Sequence, residues 1–124
     1  MRKQYYFRPS QNGFYAWDVD RLINLTKNSE VKQIRLDLIR EIDENHWFHH
    51  GNEPTCRSIY KHAILIREAD LNYPIILAED GRVMDGMHRV GKAYILGWDT
   101  IDAVQFKKNP EPDYTDVYPD ELEY

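Results

Sequence analysis

The segment Asp85-Gly86-Met87-His88-Arg89 combines residue types that together bind an anion. A glycine lets a ligand approach the backbone closely, and an arginine offers a planar fork that matches phosphate or carboxylate oxygens. A histidine donates a hydrogen bond or carries a proton near neutral pH. Asp85 would then bind a metal or orient His88. The alternative is that Asp85 caps a helix while His88 and Arg89 face solvent.

A strand and a helix must position this segment. A helix is predicted over 86–96 and is ended by Gly97, and a strand over 82–84 leads into it. The start of a helix has backbone N–H groups without partners and carries partial positive charge, so this order of elements predicts an anion cradle. Three apolar side chains of the helix are expected to share one stripe: Met87, Val90 and Tyr94.

A second helix is predicted to begin after Thr55, which is suited to cap it. It is expected to end at 72–74, because the residue before a proline disfavours the α conformation. Four of its side chains recur at helical spacing and are expected to face the core: Cys56, Ile59, Ala63 and Ile66.

Periodicity and turn signals predict the remaining elements. Segment 33–38 alternates like a strand but also fits a helix through its apolar spacing, so both interpretations stay open. The other expected elements are strands at 3–8, 75–77 and 100–106, a helix at 19–25 capped by Asp18, and turns at 12–13 and 79–82.

Length and charge limit the kind of protein this is. The 124 residues suit one domain, predicted over 1–106, followed by an acidic tail at 107–124 that is extended or mobile, with tyrosines that could fasten it. The net charge is -5, and the tail contributes -4 of it through two lysines and six acidic residues. An acidic chain argues against duplex DNA as a partner more than against a small anion.

The sequence shows none of the signals expected of a membrane-spanning or exported protein. No apolar run approaches the roughly 20 residues that a membrane-spanning helix needs, and the first six residues lack the apolar centre of a signal peptide. Cys56 is the single cysteine, so no internal disulfide forms. These features predict a cytoplasmic protein.

Stretches 73–77 and 81–90 resemble the ParB/sulfiredoxin superfamily, which pairs a proline and an apolar strand with a Gly-x-His-Arg turn that opens a helix. The resemblance covers about residues 54–106. The Asp-Gly-x-His-Arg form is similar to the free serine kinase branch. The resemblance implies an α+β fold in which a small mixed β-sheet packs against helices that start near Thr55 and Gly86.

The resemblance also implies a ligand, a nucleotide (ATP, ADP or CTP) with Mg²⁺. Its phosphates would be bound by the helix-opening turn, which comprises Gly86, Met87, His88 and Arg89. The early turns of the other helix would complete the phosphate shell through Thr55, Arg57 and Ser58, unless these residues serve only as a cap and a surface arginine.

Catalysis would need a proton acceptor and a charge stabiliser. The catalytic candidates are His88, Asp85 and Glu53, with Glu53 as the general base that orients an attacking hydroxyl. Glu41, Glu44 or Asp85 would be alternatives for that base.

Two departures from the pattern of the superfamily limit the activities that the resemblance implies. Met87 occupies the slot of the sulfiredoxin catalytic cysteine, and a thioether is no thiolate nucleophile, so sulfinic acid reduction is not expected. The chain also lacks the DNA-binding domains and basic surfaces of ParB partition proteins.

The leading hypothesis is a nucleotide-dependent phosphotransferase or nucleotide hydrolase. The alternatives are a non-catalytic nucleotide-sensing or interaction module and, third, a ParB-like nuclease or nucleic-acid partner. Neither the substrate nor the oligomeric state follows from the sequence.

The loop at 43–53 is rich in histidine. His46, His49 and His50 suggest a zinc site, but no fourth ligand is evident, so no metal site is predicted. Trp47 would act as a lid that stacks on a base, or else as part of a plain surface loop with buried aromatic residues. His62 is expected to be a half-buried histidine on the flank of its helix.

Overall fold

Residues 3–49 and 51–124 are described by the computed structural model, which contains two β-sheets and three α-helices in this part of the chain. The predicted α+β class with a small mixed sheet is confirmed. The elements are β1 (Tyr5–Ser10), β2 (Gly13–Asp18), α1 (Val19–Thr26), β3 (Lys32–Arg35), α2 (Cys56–Glu68), β4 (Ile75–Leu77), β5 (Val83–Asp85), α3 (Met87–Ile95), β6 (Thr100–Gln105) and β7 (Tyr114–Val117). Short 3₁₀ segments occupy Leu36–Leu38, Arg40–Asp43 and Pro119–Glu121.

The central sheet has four strands in the order β3-β6-β4-β5. Strands β4 and β6 are parallel, and the other two pairs are antiparallel. Because side chains alternate along a strand, Ile75 and Leu77 join one apolar cluster while Ile76 and Ala78 join another on the opposite face. Both faces of this sheet are therefore covered.

Helix α3 covers one face of the central sheet, where Val90 and Ala93 are buried in the cluster that holds Ile75. The opposite face packs against Trp17 of β2 and Leu22 of α1. The sheet is thus the middle layer between α3 on one side and β2 with α1 on the other.

The second sheet joins the two ends of the chain in the order β1-β2-β7. Strand β7 pairs antiparallel with β2, so part of the predicted tail completes this sheet. The Trp17 indole donates to the carbonyl of Pro110 at 2.8 Å, and the Tyr5 hydroxyl donates to that of Glu123 at 2.7 Å. Pairing and aromatic side chains together fasten residues 107–124 to the domain.

Local signals placed most helix and turn boundaries correctly. Asp18 caps α1 by accepting from the backbone N–H of Asp20, and Thr55 caps α2 by accepting from Ser58. Gly97 follows α3 with a φ of +77°, the left-handed conformation common just after helices. Segment 33–38 is divided between the end of β3 and a 3₁₀ turn, so the strand interpretation holds for its first half only.

The predicted core stripe of α2 is wrong. Cys56, Ile59 and Ala63 are exposed, Ile66 is only half-buried, and no residue of α2 is buried. The reason is that α2 packs on α3 through the face that holds His62 and Ile66, and lies outside the sheet layers.

Two further predictions need correction. Met87, Val90 and Tyr94 were expected to share one stripe of α3, but Val90 is buried while Tyr94 is 64% exposed, and Ala93 joins Val90 in the core. Helix α2 ends at Glu68 and not at 72–74, because the Asp70 side chain accepts from the backbone N–H of Asn72 and starts a turn of its own. In the described residues, no helix is both long and apolar enough to cross a membrane.

Candidate functional site

The turn into α3 is built around Gly86, whose φ is +116°. A Cβ at this position would lie 2.5 Å from Cγ2 of Ile75, so a side chain would clash with the sheet beneath. The carbonyl of Gly86 accepts the first helical hydrogen bond, from Val90 at 3.0 Å, and no side chain caps the helix. Backbone conformation and packing therefore both require glycine here, and the first N–H groups of α3 have no helical partner.

The guanidinium of Arg89 is engaged within the protein. It donates to Asp85 at 2.8 Å and to the carbonyls of Tyr73 and Pro74 at 3.0 and 2.7 Å. The side chains of Arg89 and Asp85 are only 15% and 16% exposed. Asp85 thus neither caps α3 nor orients His88, and this ion pair ties the start of α3 to the segment before β4.

His88 lies beside a histidine of the other helix. Nδ1 of His62 and Nε2 of His88 are 2.8 Å apart, so one ring donates a hydrogen bond to the other. That bond requires at least one neutral ring. Burial, helped by the nearby rings of His62 and His46, lowers the pKa of His88 to about 4, and burial also lowers the pKa of His62. Both rings are therefore neutral at pH 7.

The indole of Trp47 covers this histidine pair. Its centroid is 4.3 Å from that of His62 and 4.8 Å from that of His88, with angles of 17° and 12° between the planes. The two imidazole planes are themselves only 22° apart. His62 and His88 therefore form one nearly flat surface, called the imidazole platform below, against which Trp47 stacks.

The predicted residues at the start of α2 serve its cap. Thr55 accepts from the N–H of Ser58 at 3.2 Å, and the Ser58 hydroxyl donates to the carbonyl of Glu53 at 2.9 Å. Arg57 and Glu53 are exposed. His62 follows Ser58 by four residues, so it lies on the same face of α2, one turn further on.

Helices α2 and α3 begin at the same end of the domain. His62 contacts His88, and further along both helices Ile66 lies where a Cβ on Gly91 would be 3.3 Å away. Because these contacts follow the same order in both helices, the helices run in the same general direction. The two sets of predicted phosphate-binding residues, at 55–58 and 86–89, are thereby brought to one end.

Glu41 is a buried carboxylate, only 5% exposed. Its Oε2 accepts from the backbone N–H of Val83 at 2.7 Å, which covers the open edge of β5, while Oε1 has no hydrogen-bond partner among the described residues. The charge of Glu41 opposes the effect of burial, which lowers the pKa of His46. Nothing in the sequence indicates this burial, although Glu41 was an alternative candidate for the general base.

The metal hypothesis finds no support in the described part of the chain. Within residues 3–49 and 51–124, no group of three His, Cys, Asp or Glu side chains could hold a metal ion. His46 and His49 are close, with Nε2 of His49 3.1 Å from the carbonyl of His46, and His50 lies outside the described residues.

Two clefts open elsewhere on the protein. One, of about 560 Å³, lies beside Tyr5 and Tyr114, and another, of about 670 Å³, lies beside Leu25 and Phe106. Both are separate from the platform, where Trp47 fills the space over the rings. The chemistry of the imidazoles therefore identifies the candidate site better than cavity volume does.

Comparison of the chain with protein-family models, with curated proteins and with solved structures found no match. The resemblance to the ParB/sulfiredoxin superfamily therefore stays a prediction from stretches 73–77 and 81–90 of the sequence.

The sequence did not predict that His62 joins His88. The only available signal was its spacing of four from Ser58, which places it on the face of the cap residues. Its pairing with a residue 26 positions away depends on how α2 packs.

Proposed function

We propose that this protein binds a phosphate-bearing ligand, a nucleotide, at the end of the domain where α2 and α3 begin. The observation that carries the proposal is that α2 and α3 begin at the same end of the domain, where the His62–His88 hydrogen bond joins the second turn of α2 to the first turn of α3. Each start offers unpaired N–H groups and partial positive charge, which favour an anion. The start of α2 lies about 8 Å beyond the start of α3 along their shared direction, so the two ends together favour an extended anion.

The individual residues divide into binding and positioning roles. The N–H groups at 87–89 would bind phosphate oxygens, and the exposed Arg57 would add a mobile positive charge. Arg89 would act indirectly, by holding the turn in place through Asp85. Because that carboxylate is already paired, Mg²⁺ would be held mainly by the phosphates of the nucleotide.

A ParB/sulfiredoxin-like arrangement is part of the proposal. What supports it is the order of elements, in which the β4–β5 hairpin leads through Gly86 into α3 and the chain returns to β6 parallel to β4. In that arrangement the helix-opening turn is where nucleotide phosphates bind.

Nucleotide-dependent phosphoryl transfer or nucleotide hydrolysis is a second candidate function. It is favoured by the neutral state of His88 at pH 7, in which the ring, although a weak base with a pKa of about 4, can orient a water or a hydroxyl by a hydrogen bond. Glu53, exposed just before α2, would orient the attacking group. The test is turnover of ATP, ADP or CTP with Mg²⁺, which should disappear in His88→Ala.

Calorimetry with ATP, ADP and CTP in the presence of Mg²⁺ tests the binding proposal. Arg57→Ala removes a charge from the first turn of α2, and the matched control Arg67→Ala removes one from its last turn, where the side chain is 75% exposed. We expect Arg57→Ala to weaken binding about 3- to 10-fold, in line with a partly screened charge, and Arg67→Ala to leave it unchanged. Absence of binding to any of the three nucleotides, or equal weakening by both variants, would overturn the proposal.

A further inference from the structure

We propose that the imidazole platform of His62 and His88 binds the purine base of the ligand, and that Trp47 is an internal occupant which the base replaces. The inference rests on the proposed function, because it assigns the base of the same nucleotide to a place one helical turn from its phosphates. It goes further by naming purines as the class of base.

The shape of the platform supports a bicyclic ring. The centroids of the two imidazoles are 5.1 Å apart, and the indole of Trp47 lies within 17° of both planes. Indole and purine are both flat, fused six- and five-membered rings of similar size. A pyrimidine has a single ring and would cover one imidazole while leaving much of the other uncovered.

The chemistry of the platform also suits a neutral aromatic base. Both imidazoles are uncharged at pH 7 because burial lowers their pKa values. The hydrogen bond between them holds the rings side by side, so the surface exists before any ligand arrives. Stacking on such a surface depends on ring area and tolerates different ring substituents.

Trp47 is held in a way that permits replacement. Between the 3₁₀ turn Arg40–Asp43 and α2, the described residues form neither helix nor strand. The indole N–H of Trp17 donates to Pro110, whereas no described residue accepts a hydrogen bond from that of Trp47. The Trp47 ring is thus held by stacking on the platform and by edge contacts with its neighbours His46 and Phe48, and a base would restore the stacking.

The position of the platform fits a nucleotide. His62 lies one turn beyond Ser58, a separation of about 6 Å along α2, and His88 is in the first turn of α3. A base on the platform would therefore place its phosphates near the two helix starts. The phosphate site and the platform would hold the two ends of one molecule.

Fluorine NMR of the whole protein labelled with 5-fluorotryptophan tests this directly. The chain has three tryptophans, and Trp47→Phe assigns the Trp47 resonance. We expect adenosine and ATP to shift that resonance in a saturable way while the resonance of the exposed Trp98 stays constant. Cytidine and inorganic triphosphate should shift it much less. A Trp47 resonance that responds equally to adenosine and cytidine, or to neither, would overturn the inference.

A variant sharpens the test. Trp47→Ala removes the internal competitor, so adenosine should bind several-fold more tightly than to the unaltered protein, whereas Trp98→Ala, a matched change at an exposed tryptophan beyond the far end of α3, should have little effect. Weaker adenosine binding by Trp47→Ala would contradict replacement, provided that thermal melting shows the variant folded. The experiment on the labelled, unsubstituted protein decides the matter if the variant is unstable.

The outcomes separate the two proposals. If triphosphate and ATP bind in a way that depends on Arg57 but adenosine does not shift the Trp47 resonance, the purine platform is wrong and the phosphate site is supported. Adenosine binding that shifts Trp47, with no effect of Arg57→Ala on ATP, would keep the platform and remove the phosphate site.

Discussion

Helices α2 and α3 each contribute one imidazole to the platform, but they are attached to the domain in different ways. Helix α3 buries Val90 and Ala93 against the central sheet, and its first turn is fixed by Gly86 and Arg89. Helix α2 buries no residue, and α3 is the main element that it contacts.

This difference in attachment shows which of the two helices determines the geometry of the platform. The end of α2 is held by the ammonium group of Lys92, which donates to the carbonyls of Arg67 and Ala69 at 2.9 and 2.7 Å. Nearer its start, His62 is hydrogen-bonded to His88. Helix α3 is therefore the fixed reference, and α2 takes its position from α3.

The largest expected effect is at the turn that fixes α3. Gly86→Ala combines a left-handed backbone with a Cβ 2.5 Å from the Ile75 side chain, so we expect a loss of about 3 kcal/mol or more in the free energy of unfolding. Gly97→Ala is the control, because its backbone is also left-handed but nothing lies within 4 Å of the new Cβ. It should cost about 1 kcal/mol. Urea unfolding measures both, and equal losses would show that the clash is relieved.

The next effect concerns the ion pair beneath α3. Arg89→Ala leaves the largely buried Asp85 and two carbonyls without their donor, so we expect a loss of about 2 kcal/mol. Arg57→Ala, on the exposed start of α2, should change stability by less than about 0.5 kcal/mol. Similar urea midpoints for the two variants would contradict the view that α3 is the anchored helix.

Acid should weaken the contact between α2 and α3 that is formed by His62 and His88. The folded pKa of His88 is about 4, below its usual value of 6.5, so the unfolded chain binds more protons between these two values. Stability is therefore complete above pH 6.5 and falls as the pH drops from 6.5 towards 4, by about 1 to 2 kcal/mol once solvent screening of the part-exposed ring is allowed for. Burial shifts the pKa of His62 in the same direction and adds to the slope.

Thermal melts at pH 7 and pH 4.5 test this window. His88→Asn should melt with a smaller difference between the two pH values than the unaltered protein. Asp80, whose pKa is lowered to about 2 by its bond from Arg8, contributes instead at more acid pH and separates from the histidine effect. If the difference between the two melting temperatures is unchanged in His88→Asn, the contact between α2 and α3 is insensitive to protonation of His88.

The smallest effect is expected where α3 holds the end of α2. Lys92→Met removes two hydrogen bonds to the last carbonyls of α2 and should cost about 1 kcal/mol. Amide hydrogen exchange should speed up in the last turn of α2 and not in α3. Lys61→Met, on the exposed surface of α2, is the control. Uniform acceleration in both helices would mean that they unfold as one unit.

Short-range rules predicted the boundaries that depend on a few neighbouring residues. Asp18 and Thr55 cap their helices, Gly97 ends α3, and the turn at 79–82 contains Gly81 with a φ of +85°. Each of these boundaries depends on contacts between residues no more than four positions apart. The local sequence is therefore enough to predict it. The helix start at Gly86 was predicted for the same reason.

The features that were not predicted from the sequence depend on contacts between segments that are far apart along the chain. The apolar spacing of α2 indicated a buried stripe, but spacing alone does not specify which face meets a partner, and Ile59 is exposed. The pairing of β7 with β2, the burial of Glu41 and the stacking of Trp47 on His62 all require the tertiary fold. Arg89 was expected to face a ligand because its residue type suits anions, while its carbonyl partners at 73–74 became evident only in the structure.

The pairing of β7 with β2 has a consequence for synthesis on the ribosome. The hairpin of β1 and β2 is synthesised about a hundred residues before the strand that covers the open side of β2, a delay of about 5 to 20 s at usual elongation rates. Tyr5 and its partner Glu123 stand 118 positions apart. During that interval the edge of β2 is available for pairing with other chains. A nascent chain that stalls before Tyr114 therefore keeps this edge of β2 open to aggregation.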